Sequence, residues 1–253
     1  DDSDEDDISD DGNSEDDDDG SNEEMDEARE ASDAVVIEEL GLEVDHEVVL
    51  TADEVAMGCF AMTKILGLAK RVFHSPALRD ELKDLCIRVA KIEPKILMRA
   101  VPTRWNSVAV ALQRALHLQL ALDKLVMAKQ FNTSRGVKLK KYKLSTDEWG
   151  ILTQLSPILQ HFLDATTRIS QSTVSLLHEV IPVIDKLTDV LDAANEDTNL
   201  FPVVRAAMKR GRKVLDKYYA KTDESILYRC AMLLHPRYKI SYFRKHKWLD
   251  EWI

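Results

Sequence analysis

Apolar residues recur at intervals of three and four from Thr51 onward and are sparse over residues 1–33. That spacing gathers apolar side chains on one face of a helix. Thr51 and Glu54 have the spacing of a capping box, and an apolar-periodic run follows to about Phe73. Ser75-Pro76 marks a second start, with serine as N-cap and proline first in a helix that reaches about Lys91. Pro94 and Pro102 delimit a connection over residues 93–102. Thr103 is placed to cap a third helix, Arg104 to about Lys129, on which Trp105, Val108, Leu112, Ala115, Leu116 and Leu122 recur at helical spacing. Residues 130–144 are polar, basic and glycine-containing, which predicts a loop. Ser145 and Glu148 form a second capping box opening a helix to about Ile169, mildly kinked by Pro157. Further helices are expected over about Val174–Ala193 (tolerating Pro182), Pro202–Tyr219 and Ser225–Leu234, the last stopped by Pro236. With no alternating strand pattern and no repeat period, the fold class is all-α, an antiparallel helical bundle.

Charge divides the chain at the same place. Residues 1–50 hold 24 Asp or Glu against the single Arg29, a formal charge of −23. Residues 51–253 hold 33 Lys or Arg against 21 Asp or Glu, a formal charge of +12. The overall −11 therefore conceals a basic body suited to a polyanionic partner. Residues 1–33 are too acidic and too poor in apolar side chains to offset the entropy of ordering, so disorder is expected there. Within residues 34–50, VVIEEL and VVL are able to pair weakly or dock. The expected division is a 1–50 acidic linker and a 51–253 helical domain. The acidic part either competes for the basic surface or keeps the protein soluble. The chain opens on Asp1 and closes on an apolar, aromatic stretch, so a fragment of a longer protein is expected.

Candidate chemistry is confined to binding. Cys59, Cys86 and Cys230 fit neither a disulfide framework nor a zinc site, and the seven histidines lack metal-ligand spacing, so no cofactor or metal site is expected in this stretch. No phosphate-binding glycine loop, nucleophile elbow or kinase motif occurs, and no apolar run is long enough to span a membrane. VPTRWNS, residues 101–107, places Arg104 and Trp105 in the first turn of a helix. They either hold a phosphate and stack on a base, or leave the indole as a core anchor and the arginine solvated. In residues 230–253 an apolar helix and a proline stop precede basic residues interleaved with aromatics, including Arg237 and Lys239. These suit nucleic acid, or rings packed under further structure. Two more basic clusters are Arg135, Lys138, Lys140, Lys141 and Lys143 in the 130–144 loop, and Arg205, Lys209, Arg210, Arg212, Lys213, Lys217 and Lys221 along the Pro202 helix.

VPTRWNS followed about 130 residues later by LLHPRYKISYF resembles the hAT superfamily of DNA transposases, in particular the transposon-derived copies common in fungal genomes. HSPALRDELKDLC and LSTDEWGILTQLSPIL add to the resemblance, which covers about residues 51–253. It implies an RNase H-like catalytic domain interrupted by a helical insertion, of which this chain is the insertion. The family's three carboxylates, which hold Mg or Mn, fall before the acidic linker and after the insertion. No catalytic residue is therefore carried over, and this stretch is not expected to be an enzyme by itself. Arg104 and Trp105 match the family's Arg-Trp pair at the transposon end. Lys138, Lys140, Lys141, Arg237 and Lys239 complete the expected DNA-binding set. The implied partners are transposon-end DNA, bound weakly, the remainder of a transposase chain, and a second copy through a C-terminal region outside this chain. The implied compartment is the nucleus. The alternative is a domesticated or decayed helical protein-interaction scaffold.

Overall fold

The structure, a computed structural model, describes residues 50–99, 105–133, 138–171, 173 and 175–249. The expectations for residues 1–33, for the short elements of 34–50 and for the Thr103 cap lie outside these. The described residues form nine α-helices and no strand. They are α1 (Ala52–Phe73), α2 (Pro76–Leu85), α3 (Trp105–His117), α4 (Gln119–Met127), α5 (Thr146–Ile169), α6 (Val180–Glu196), α7 (Pro202–Thr222), α8 (Ile226–Leu234) and α9 (Lys239–Lys245).

Both capping boxes close. Thr51 Oγ1 accepts from the Glu54 amide at 3.2 Å, and Glu54 Oε2 accepts from the Thr51 amide at 2.8 Å. That backbone donor holds the Glu54 carboxyl below its ordinary value. Ser145 and Glu148 repeat the arrangement at 3.1 and 2.7 Å. At α2, proline occupies the first turn, but the Ser75 side chain makes no capping bond, contrary to expectation. The helix continues through a π-turn, Cys86–Ala90, and stops at Lys91, whose φ of 55° is left-handed.

Three expectations need correction. The single helix expected over Arg104–Lys129 is two, because Leu118 leaves helical geometry (φ −93°, ψ 5°) while burying its side chain completely. No proline or glycine marks that break, and we have no physical account of it from the sequence. The 130–144 loop contains two 3₁₀ turns, Lys129–Phe131 and Leu139–Tyr142. The helix expected from Val174 begins at Val180, after a 3₁₀ turn at Leu177–Glu179. Pro182 thus falls in a first turn, where its missing N–H costs no hydrogen bond. Beyond Pro236 the basic, aromatic stretch forms α9.

The helices pair antiparallel. Along α5, Trp149 Nε1 donates to Asp123 of α4 at 3.1 Å, and Gln160 meets Gln113 of α3, so α5 runs opposite to the α3–α4 segment. Along the α6–α7 hairpin, Asn195, Asp192 and Asp185 meet Arg205, Arg212 and Tyr219, one chain descending as the other rises. Three apolar clusters result. The first joins α1 through α4 to Trp149 and Leu152 of α5. The second joins Ile151 and Ile158 of α5 to Leu191, Val204 and Met208. The third holds Ile181, Met232, Tyr238 and Phe243. Because α5 contributes to the first two from adjacent faces that share Leu155, it is the helix on which the bundle is organised.

Candidate nucleic-acid interface

The seven sequence-selected residues are not gathered in one place. Arg104 and the side chain of Trp105 lie outside the described residues; the backbone of Trp105 opens α3. Lys138, Lys140 and Lys141 stand over the first apolar cluster, whereas Arg237 and Lys239 stand over the third.

The lysine turn has a firm base. Leu139 is fully buried and Leu144 nearly so, pinning both ends of the 3₁₀ turn into the core. Asn132 Nδ2 donates to the carbonyls of Val126 and Ala128, at 2.9 and 2.8 Å, and its Oδ1 accepts from the Lys140 amide at 2.9 Å. The Lys138 amide donates to the Phe131 carbonyl at 3.0 Å. Lys138 is left-handed, with φ 55°. Tyr142 leans on α1 so closely that a Cβ on Gly67 would lie 2.7 Å from its ring. Glycine at 67 is thus required by approach, not by backbone angle. The Lys141 ammonium lies 5.0 Å from the Tyr142 ring centroid, a cation–π distance.

Since Gly67 faces the turn, Lys70 and Arg71, three and four residues on, flank it from α1. Sequence reading did not single them out; only the helical offset from Gly67 relates them to the turn. Lys70, Arg71, Lys138, Lys140, Lys141 and Lys143 are all exposed. Among the described residues none of the six makes an ion pair. The nearby carboxylates are largely committed: Glu148 to Lys64 at 2.6 Å, Asp123 to Trp149. Asp147 is the exposed exception. A ledge of six cations on an ordered support focuses positive potential where a phosphate backbone can lie.

The second motif is mostly packing. Tyr238 and Phe243 are buried, and the Phe243 ring meets Trp248 edge-on at 5.0 Å. Tyr242 donates to Asp185 at 2.6 Å, and Tyr219 bonds the same carboxylate. Burial first, then that acceptor, pushes the Tyr242 phenol well above its ordinary value, and burial with the Asp185 charge does the same for Tyr219. Tyr238 is raised by burial and by its bond to Glu179. Glu179, itself buried, also accepts from Arg168 at 2.6 Å. His235 stacks on His178 with centroids 4.0 Å apart. Arg237 and Lys239 are exposed, and the Arg237 guanidinium lies 5.8 Å from the Tyr238 ring centroid. Arg237 edges a cleft of about 260 Å³ that also presents Glu179, Asp185 and Asp189, a mixed-charge surface.

The basic stripe on α7 is partly neutralised. Arg212 pairs with Asp192 at 3.1 Å and with Asp216, and Arg205 donates to the Asn195 carbonyl at 2.8 Å. All three cysteines are free, with only Cys86 buried. Among the described residues no group of three or more His, Cys, Asp or Glu side chains is placed to hold a metal, and no helix is long and apolar enough to cross a membrane.

No protein-family model matches the chain, and no solved structure matches it. The chain is similar to a Talaromyces stipitatus protein named "Putative transcriptional regulator tpeD", with 28% identity over 193 residues. The match covers 76% of this chain and 20% of that protein. The chain thus spans about one fifth of the length of this relative.

Proposed function

We propose that residues 51–253 are the DNA-binding, architecture-supplying helical part of a larger nuclear protein of the hAT-transposase-derived kind, and that the ledge of Lys70, Arg71, Lys138, Lys140, Lys141 and Lys143 is its contact with the phosphate backbone. The observation that carries this is six exposed cations, without ion pairs among the described residues, on α1 and on a turn fixed by Leu139, Asn132 and Tyr142. The ordered pair of transposase-like motifs and the relative named for transcriptional regulation both support a DNA partner. The role proposed is binding, because the resemblance puts the family's catalytic carboxylates outside this stretch.

A second reading, a protein-interaction scaffold, draws on the apolar side chains of α8. Ile226, Leu227 and Leu234 are 66%, 61% and 84% exposed.

The test is titration of labelled duplex with the full chain and with K138E/K140E/K141E. Affinity for the unaltered chain should fall steeply with salt, with a log–log slope of roughly −0.9 per phosphate neutralised. The triple variant should bind at least about tenfold more weakly, with a slope shallower by about three phosphates. In a second arm, Trp105→Ala should cost roughly 1–3 kcal/mol on DNA with an unpaired base and little on duplex. A triple variant that binds like the parent removes the ledge from the interface. Two variants and a parent that all ignore DNA favour the scaffold.

A further inference from the structure

We infer that the ledge has an occupant within the same chain: the acidic segment 1–33, led by the unbroken run Glu15–Asp19, lies on Lys70, Arg71 and the lysine turn and must be displaced by any other polyanion. This deepens the proposed function, naming what regulates that surface.

Charge complementarity is the first argument. Residues 1–33 contain 19 Asp or Glu against one Arg, and the ledge offers cations with no ion-pair partner among the described residues. The other basic clusters are less available. Arg205 and Arg212 of α7 are bonded to α6, and Arg237 borders a cleft containing three carboxylates. Consecutive carboxylates offer an anion every residue along an extended chain, a spacing that can follow a row of lysines as a phosphate backbone does.

Reach is the second argument. The acidic segment is joined to the bundle at Thr51, the N-cap of α1. From Thr51 to Lys70 the helix rises about 28 Å. The 31 residues between Asp19 and Thr51 have a contour length of about 100 Å, more than enough to bridge that rise. A tether long enough to reach its site holds the effective concentration far above that of a free partner. The Glu15–Asp19 run therefore meets the ledge far more often than free DNA at ordinary concentrations would. The contact is electrostatic, so it is strongest at low ionic strength and released by salt.

Carbodiimide coupling of the full chain at low salt tests this without DNA, because it joins a lysine amine to a carboxylate only where the two touch. Peptide mapping should find segment 1–33 linked chiefly to Lys70, Lys138, Lys140, Lys141 and Lys143, within one molecule, and the links should vanish in molar salt. Links spread evenly over exposed lysines such as Lys186, Lys239 and Lys245, or formed mainly between isotopically distinct copies, would overturn the inference. As a second measurement, the full chain carrying E15Q/D16N/D17N/D18N/D19N should lose the links made by residues 15–19 and bind duplex roughly tenfold more tightly at low salt. Links that seat on the ledge in a protein blind to DNA, even with the run neutralised, would retire the proposed function and leave the inference standing. DNA bound at the ledge with scattered links would do the reverse.

Discussion

Glu148 shows how one side chain can join a local signal to a distant one. It is 5% exposed and uses both oxygens, Oε2 on the Ser145 amide and Oε1 on the Lys64 ammonium. The first bond fixes the start of α5; the second ties α5 to α1. Glu148→Ala removes a cap worth ~1 kcal/mol and a charge-assisted bond worth ~1.5–3 kcal/mol. Lys64 keeps 26% side-chain exposure, so water compensates part of the second loss. The expected cost is ~2–3 kcal/mol, or about 4–10 °C in melting temperature for a body of this size. Glu148→Gln retains an acceptor for the cap and should lose less. Thermal melting of both variants checks the order, and equal losses would show that the cap bond contributes nothing. Arg237 and Tyr238 make a contrasting pair of neighbours: the tyrosine is buried against Glu179, while the arginine stays exposed over its ring.

Where α6, α7 and α9 meet, Asp185 accepts from Tyr219 and Tyr242, so three helices share one carboxylate. Both phenols are held protonated above their ordinary value. A group with a raised folded-state value contributes stability that is complete below its unfolded value, about 10 for tyrosine, and lost as pH rises toward the folded one. Urea midpoints should therefore hold up to about pH 9 and fall above about pH 10. The Y219F/Y242F variant should show a flatter alkaline decline, and an unchanged slope would remove these tyrosines as its cause. The sequence discloses such elements unevenly. Both capping boxes are legible because their partners are three residues apart, and Pro76, Pro202 and Pro236 mark helix ends by geometry that proline imposes anywhere. The Asp185 junction is not legible, since its partners are 34 and 57 residues away and nothing local distinguishes a tyrosine that donates inward. Of the candidate interface, the lysines of the 130–144 loop are readable as charge. That Lys70 and Arg71 stand beside them depends on a packing contact between Gly67 and Tyr142 that neither residue announces.

Across the whole molecule, the first two apolar clusters share α5, and the ledge sits on the first of them. The ledge is held there from both sides of the five residues 133–137: Asn132 grips the Lys140 amide, and the Phe131 carbonyl grips that of Lys138. Both grips bond groups outside that stretch. Lengthening a closed segment costs only the logarithm of its length, so ten Gly/Ser residues inserted after Arg135 should lower stability by ~1 kcal/mol. Melting and duplex affinity should otherwise match the parent, and a collapse of either would show that the grips fail without the native spacing. In evolutionary terms the bundle carries a permissive splice point beside its binding face, where new sequence can be trialled without renegotiating the fold.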